Sequence, residues 1–114
     1  MHTREIGGIG EDTACRFLTL KGHKVVKRNW TCHFGELDIV TVKDGVTVFV
    51  EVKLRRSSSR GYAYESLNYF KKKHLRRSIS YYITSNNISF DNWRFDLVCF
   101  DKAKITHYEN LNIN

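Results

Sequence analysis

The chain has no proline, no internal repeat and no low-complexity tract. Nothing in it marks a linker, and 114 residues suffice for one domain around one core. Cysteine is scarce: Cys15, Cys32 and Cys99 are widely spaced and form no CxxC pair. An odd, sparse set suits reduced thiols in a cytoplasmic protein and argues against a disulfide framework. Cys32 and His33 are adjacent, but neighbours on an extended chain point apart, and no ligand set has zinc spacing. No apolar run approaches the ~20 residues that span a bilayer. Met1 to Gly8 lacks the apolar stretch of a signal peptide, and no lipidation motif is present. Acidic residues are the minority, 12 against 19 Lys and Arg, for a formal charge of +7. That excess favours a polyanionic partner, either nucleic acid or an anionic membrane surface.

What is present reads as a folded α/β protein. Ile6, Ile9, Gly10, Ala14, Phe17 and Leu18 recur at helical spacing, so a first helix is expected over about 3–20, stopped at Lys21-Gly22. Strands are expected over 23–30, 36–43, 46–54, 93–100 and 105–108. A second helix over about 64–84 would bury Leu67, Phe70, His74 or Leu75, Ile79 and Tyr82, and Asn86-Asn87 would break it. Residues 55–61, rich in Ser, Arg and Gly, read as an exposed loop. The order α-β-β-β-α-β-β predicts a central mixed sheet flanked by helices.

Asp44-Gly45 between two β-rich runs signals a two-residue hairpin turn, because both central positions favour positive φ. Lys43 then faces Val46, Asp38 lies opposite Glu51, and Glu36 lies opposite Lys53. Side chains alternate along strands, so Glu36, Asp38, Glu51 and Lys53 share one face. Leu37, Ile39 and Thr41, with Val48, Val50 and Val52, form the opposite, core face. Toward the turn the charged face becomes apolar at Val40, Val42 and Phe49, so a further element is expected to pack there. Facing carboxylates repel, and a chain that keeps such a pair has a use for a cation between them. Asp38 and Glu51 offer oxygen ligands to Mg²⁺ or Mn²⁺, and Lys53 a group to orient water or stabilise charge. Spacing alone is equally compatible with a surface salt-bridge ladder.

The pattern D-(x12)-E-x-K, Asp38 to Glu51-Val52-Lys53, follows a predicted helix and precedes a basic one. It occurs with Gly10-Glu11, Arg28-Asn29-Trp30, Gly35-Glu36-Leu37-Asp38, Arg55, Gly61 and Arg94-Phe95-Asp96, in order along nearly the whole chain. Together these resemble the PD-(D/E)XK nuclease superfamily. Within it, they resemble the YraN-like family of small bacterial proteins, related to archaeal Holliday-junction resolvases. Leu37 stands where the superfamily's name has proline, at a variable position. The resemblance implies a restriction-endonuclease-like α/β core, Mg²⁺ or Mn²⁺ as cofactor, and hydrolysis of structured or branched DNA. It also implies a homodimer for symmetric cutting of two strands. Asp38 and Glu51 would ligate the metal with the Val52 carbonyl, Lys53 would assist the water, and Glu11 would match the helical carboxylate of resolvase-like members. A helical wheel puts Glu11 at the edge of the apolar stripe, where an ordinary boundary carboxylate would also sit.

Lys72, Lys73, Arg76 and Arg77 are expected on the outer face of the second helix. With Arg55, Arg56 and Arg60 they make a basic zone suited to phosphate contacts; a solvated helix face looks the same. Arg94 and Asp96 either pair structurally or border the site. Trp30, Tyr62 and Tyr64 either stack on bases or pack. Two other readings remain beside the nuclease. One is a nucleic-acid-binding module that kept the fold and lost catalysis. The other is a scaffold whose basic helix meets an acidic partner.

Overall fold

The computed structural model describes residues 3–54, 67–101 and 104–114, with the backbone alone over 3–9. Helix α1 (Thr3–Leu20) leads into strands β1 (Lys24–Cys32), β2 (Gly35–Lys43) and β3 (Val46–Leu54). Helix α2 (Tyr69–Ser85) and strands β4 (Trp93–Phe100) and β5 (Ile105–Tyr108) follow. The predicted order holds. Gly22, at φ +95°, ends α1, and the His23 N–H returns to the Leu18 carbonyl at 3.0 Å. The five strands form one sheet in sequence order, antiparallel except for the parallel β3–β4 pair that α2 connects. This mixed α/β arrangement is consistent with a restriction-endonuclease-like core. Among the described residues no helix is long and apolar enough to cross a membrane.

Asp44 and Gly45 have φ of 52° and 78°, as the hairpin reading required, and Lys43 pairs with Val46. The ladder runs as counted to Ile39–Val50 and stops there. Beyond that pair Asp38 does not sit in a regular ladder against Glu51. Its Oδ2 accepts the Val52 N–H at 2.9 Å, so a side chain replaces the backbone partner.

Among the described residues each sheet face carries one helix. Ala14 and Leu18 of α1 pack with Ile39, Val48, Val50 and Val98. Leu75, Ile79, Tyr82 and Ile83 of α2 pack with Val40, Phe49 and Phe95, so α2 is the expected second cover. Leu37 corrects the alternation: it joins the α2-side cluster rather than Ile39. Its neighbourhood is irregular, with β2–β3 pairing ended and Asn29 of β1 in the left-handed region at φ 50°. A second correction concerns the start of α2. Asn68 caps it, accepting the Lys71 N–H at 2.9 Å, so the helix begins at Tyr69 and not near residue 64. Leu67 is buried ahead of the helix, whereas Phe70 is 68% exposed and is no part of the inner stripe. Of His74 and Leu75, Leu75 is the buried one.

Candidate metal centre

Glu11 comes from α1, and Glu36 and Asp38 from the start of β2, just after the His33-Phe34 turn and Gly35 at φ +147°. One ligand oxygen from each of these three carboxylates lies within 4.8 Å of the others. The Glu11 side chain is 13% exposed. Burial raises its pKa; a hydrogen bond with Asn29 and the charge of Arg28 offset this, and Asp38 and Glu36 add to it. Arg28 itself is closer to Asp12, at 2.6 Å, than to Glu11, at 4.0 Å.

Glu51 is buried and lines a cleft with Glu36, Asp38 and Lys71. Its carboxyl is pushed up to about 7, first by burial and then by the charge of Asp38; the Lys71 ammonium, 3.3 Å away, works against the rise. A hydrogen bond between Glu51 and Asp38 also favours the protonated form. Lys53 adjoins this group. Burial lowers its pKa, as do a hydrogen bond with Lys71 and the charge of Lys71, against the pull of Glu51 and Asp38. Lys71 is raised because Glu51, with Lys53 and Asp38, outweighs its own burial. Two lysines thus sit in opposite electrostatic circumstances: Lys71 is held as a cation and Lys53 is eased toward losing its proton.

The structure brings Glu11, Asp38, Glu51 and Lys53 into one region. Glu11, Glu36 and Asp38 form the tight oxygen cluster, while Glu51 engages Lys71. Val52, expected to offer its carbonyl, gives its N–H to Asp38. An all-oxygen set of this kind fits a hard divalent cation of the Mg²⁺ or Mn²⁺ type. Two participants escaped sequence reasoning. Glu36 stood in plain view on the charged face, but as a partner for Lys53. Lys71 lies four residues before buried Leu75 and eleven before Tyr82, a helical spacing that marked it as inward-facing. Of the basic residues, Lys73, Arg76 and Arg77 line an outward groove on α2, and Lys72 is half-buried. Arg55, Arg56 and Arg60, with Tyr62 and Tyr64, lie outside the described residues.

With this geometry in view, likeness to known proteins decides the family. The model of "Uncharacterised protein family UPF0102" matches residues 10–100. The chain belongs to that family. A UPF0102 protein of Alkaliphilus oremlandii is 39% identical, with 94% of this chain and 97% of the relative covered. One from Dictyoglomus turgidum is 33% identical over 97% of both chains. One from Myxococcus xanthus is 37% identical over 91% of this chain and 86% of its own. The YraN-like resemblance read from the motifs is to this UPF0102 family.

A second polar cluster centres on Asp96 of β4. Asp96 is fully buried and accepts from Arg94 Nε at 3.1 Å, His107 Nε2 at 2.7 Å and the Asn110 N–H at 3.0 Å. Burial would raise its carboxyl, but the bonds from His107, Asn110 and Arg94 win and hold it below the ordinary value. Lys21 can only donate, so His107 Nδ1, 2.6 Å from it, accepts, and Nε2–H points at Asp96. His23 Nδ1 meets Thr41 Oγ1 at 2.7 Å, and among the described residues its Nε2 is buried without a hydrogen-bond partner. His23, Asp96 and His107 have the spacing of metal ligands. Arg94 already spans both Asp96 oxygens, however, and Lys21 faces His107, so positive charge fills the cluster. The Arg94–Asp96 pair is the centre of this knot.

His23 makes this knot acid-sensitive. Burial, then the charge of Lys43, lowers its pKa to about 4. The unfolded chain takes up a proton near 6.5 that the folded one refuses, so this contribution is complete above pH 6.5 and lost as pH falls toward 4. The raised Glu51 acts in the opposite sense over a similar range. A His23→Phe/Thr41→Val variant, which removes both hydrogen-bonding groups together, isolates the histidine. Relative to that variant, wild type should lose about 2–3 kcal/mol between pH 7 and 4.5, at ~1.4 kcal/mol per unit. Chemical denaturation across that range measures it; parallel pH profiles would sink the assignment.

Proposed function

We propose that this UPF0102 protein is a metal-dependent nuclease that hydrolyses phosphodiester bonds in structured or branched DNA. The observation that carries the reading is the convergence of Glu11, Glu36 and Asp38 within 4.8 Å, beside Glu51, Lys53 and Lys71. Glu11, Glu36 and Asp38 would hold Mg²⁺ or Mn²⁺, with Glu51 at the edge of the set. The ion, when bound, supplies polarisation of a phosphoryl oxygen and a more acidic water. The chain supplies the rest. The Val52 N–H orients Asp38, and Lys71 balances the charge of Glu51. Lys53, with its ammonium destabilised, is suited to position a water and move its proton. Helix α2 carries several cations and no acidic residue, which supports a phosphate-rich partner.

Lys71 also favours a second reading. An internal ammonium 3.3 Å from Glu51 already provides positive charge, as a binding module without catalysis could. The two separate on a panel of duplex, single-stranded, flap and four-way-junction DNA with Mg²⁺ or Mn²⁺. The nuclease should cut at least one substrate, and Lys53→Ala should slow it by roughly 10²–10⁴-fold, the range for a lost proton-transfer group. Salt-sensitive binding without cutting supports the binding module. Neither binding nor cutting overturns both.

A further inference from the structure

The carboxylate cleft continues into a second surface. Phe34, in the turn between β1 and β2, lines the cleft and also one end of an open groove along α2. Lys73, Arg77, Ser80, Tyr81 and Thr84 wall that groove, at the spacing of one outward helical stripe. The Phe34 and Tyr81 rings are 6.3 Å apart, and the Arg77 guanidinium lies 5.8 Å from the Phe34 ring centre. Tyr81 is 49% exposed, so its ring remains available. Among the described residues no acidic side chain lines the groove. Arg76 also borders it, but donates to the Ile113 carbonyl at 2.6 Å, which leaves Lys73 and Arg77 as its open cations among the described residues.

We infer that this groove binds an unpaired strand of nucleic acid, with bases stacked on Phe34 and Tyr81 and phosphates held by Lys73 and Arg77. The inference rests on the proposed nuclease reading and narrows its substrate to DNA with unpaired nucleotides beside the scissile bond. An exposed tyrosine and a half-buried phenylalanine interleaved with cations match a strand that offers flat bases and phosphates in alternation. Duplex DNA hides its base faces and offers such a surface only phosphates. An acidic peptide would use the cations but leave the paired rings unexplained. Because Phe34 belongs to both surfaces, a strand stacked there runs directly past Glu36 and Asp38.

Binding without metal tests this independently of cutting. Fluorescence anisotropy in EDTA would compare a labelled oligothymidylate with a blunt duplex. Phe34→Leu and Tyr81→Leu should each weaken single-strand binding by roughly 5- to 100-fold, the range for one lost stacked base, and leave duplex binding within about threefold. Tyr81→Phe, which keeps the ring, should bind like wild type, and thermal melts confirm that each variant folds. Equal losses on both substrates, unchanged single-strand affinity, or preference for an acidic peptide would overturn the inference. Cutting on the panel with no effect of Phe34→Leu or Tyr81→Leu on binding would overturn only the groove. Ring-dependent strand binding with no cutting would overturn only the nuclease.

Discussion

Asp38→Asn should melt no lower than wild type without metal, and Mg²⁺ or Mn²⁺ should neither stabilise nor activate it. Asn keeps an oxygen to accept the Val52 N–H, so the local bond at 2.9 Å can survive. The charge that raises both Glu11 and Glu51 is gone. Relief of that crowding is worth on the order of 1 kcal/mol in the metal-free protein. The same change removes an anionic ligand from an all-oxygen cluster, where affinity depends on carboxylate charge. Affinity should fall by at least about 100-fold, beyond what a merely supporting residue costs. Wild type at a metal concentration of 100 Kd gains about 2.7 kcal/mol, a shift readily seen in a thermal melt. The variant should show almost none of it, and no cleavage. A variant that retained the metal-dependent shift would place the cation elsewhere.

Asp96→Asn should have the opposite character, a collapse of stability unrelated to metal. The fully buried carboxylate receives hydrogen bonds from Arg94, His107 and the Asn110 N–H. An amide there offers one accepting oxygen, and its NH₂ faces donors. Arg94 keeps Glu109 at 3.1 Å, but that partner is half exposed and cannot replace the buried one. Breaking one side of a buried ion pair costs about 3–5 kcal/mol, against a total stability of roughly 5–15 kcal/mol for a domain. The melting temperature should drop by roughly 10–20 °C. Urea denaturation and a thermal melt, each with and without Mg²⁺, measure it. If the variant kept wild-type stability but lost metal response or cleavage, Asp96 would belong to the functional site instead. Acid should imitate the substitution: the lowered Asp96 carboxyl contributes fully above its unfolded value near 3.8 and is lost as pH falls through its folded one.

Much of this fold was legible because its signals are local. The periodic apolar residues of α1 end at a glycine that adopts positive φ, and Asp44-Gly45 makes the turn its chemistry favours. From that turn the register could be counted as far as Ile39–Val50. Counting failed at Leu37, where the ladder ends and a carboxylate takes a backbone donor. Phe70 misled for a related reason. Helical spacing continues through it, but an asparagine cap starts α2 only at Tyr69, and the first turn lies outside the sheet's cover.

The sequence by itself determined the order of elements, the hairpin, the family, and the acidic end of β2 and β3. These rest on alternation, turn chemistry and motifs within short reach along the chain. Only the tertiary structure decided which distant side chains meet. Docking α1 on one face brought Glu11 to Glu36 and Asp38, and docking α2 on the other brought Lys71 to Glu51. The same packing joined Asp96 to His107 and buried His23. Such contacts depend on the rotation and depth of each helix against the sheet, and those are set by the fit of the two cores, which no local pattern contains.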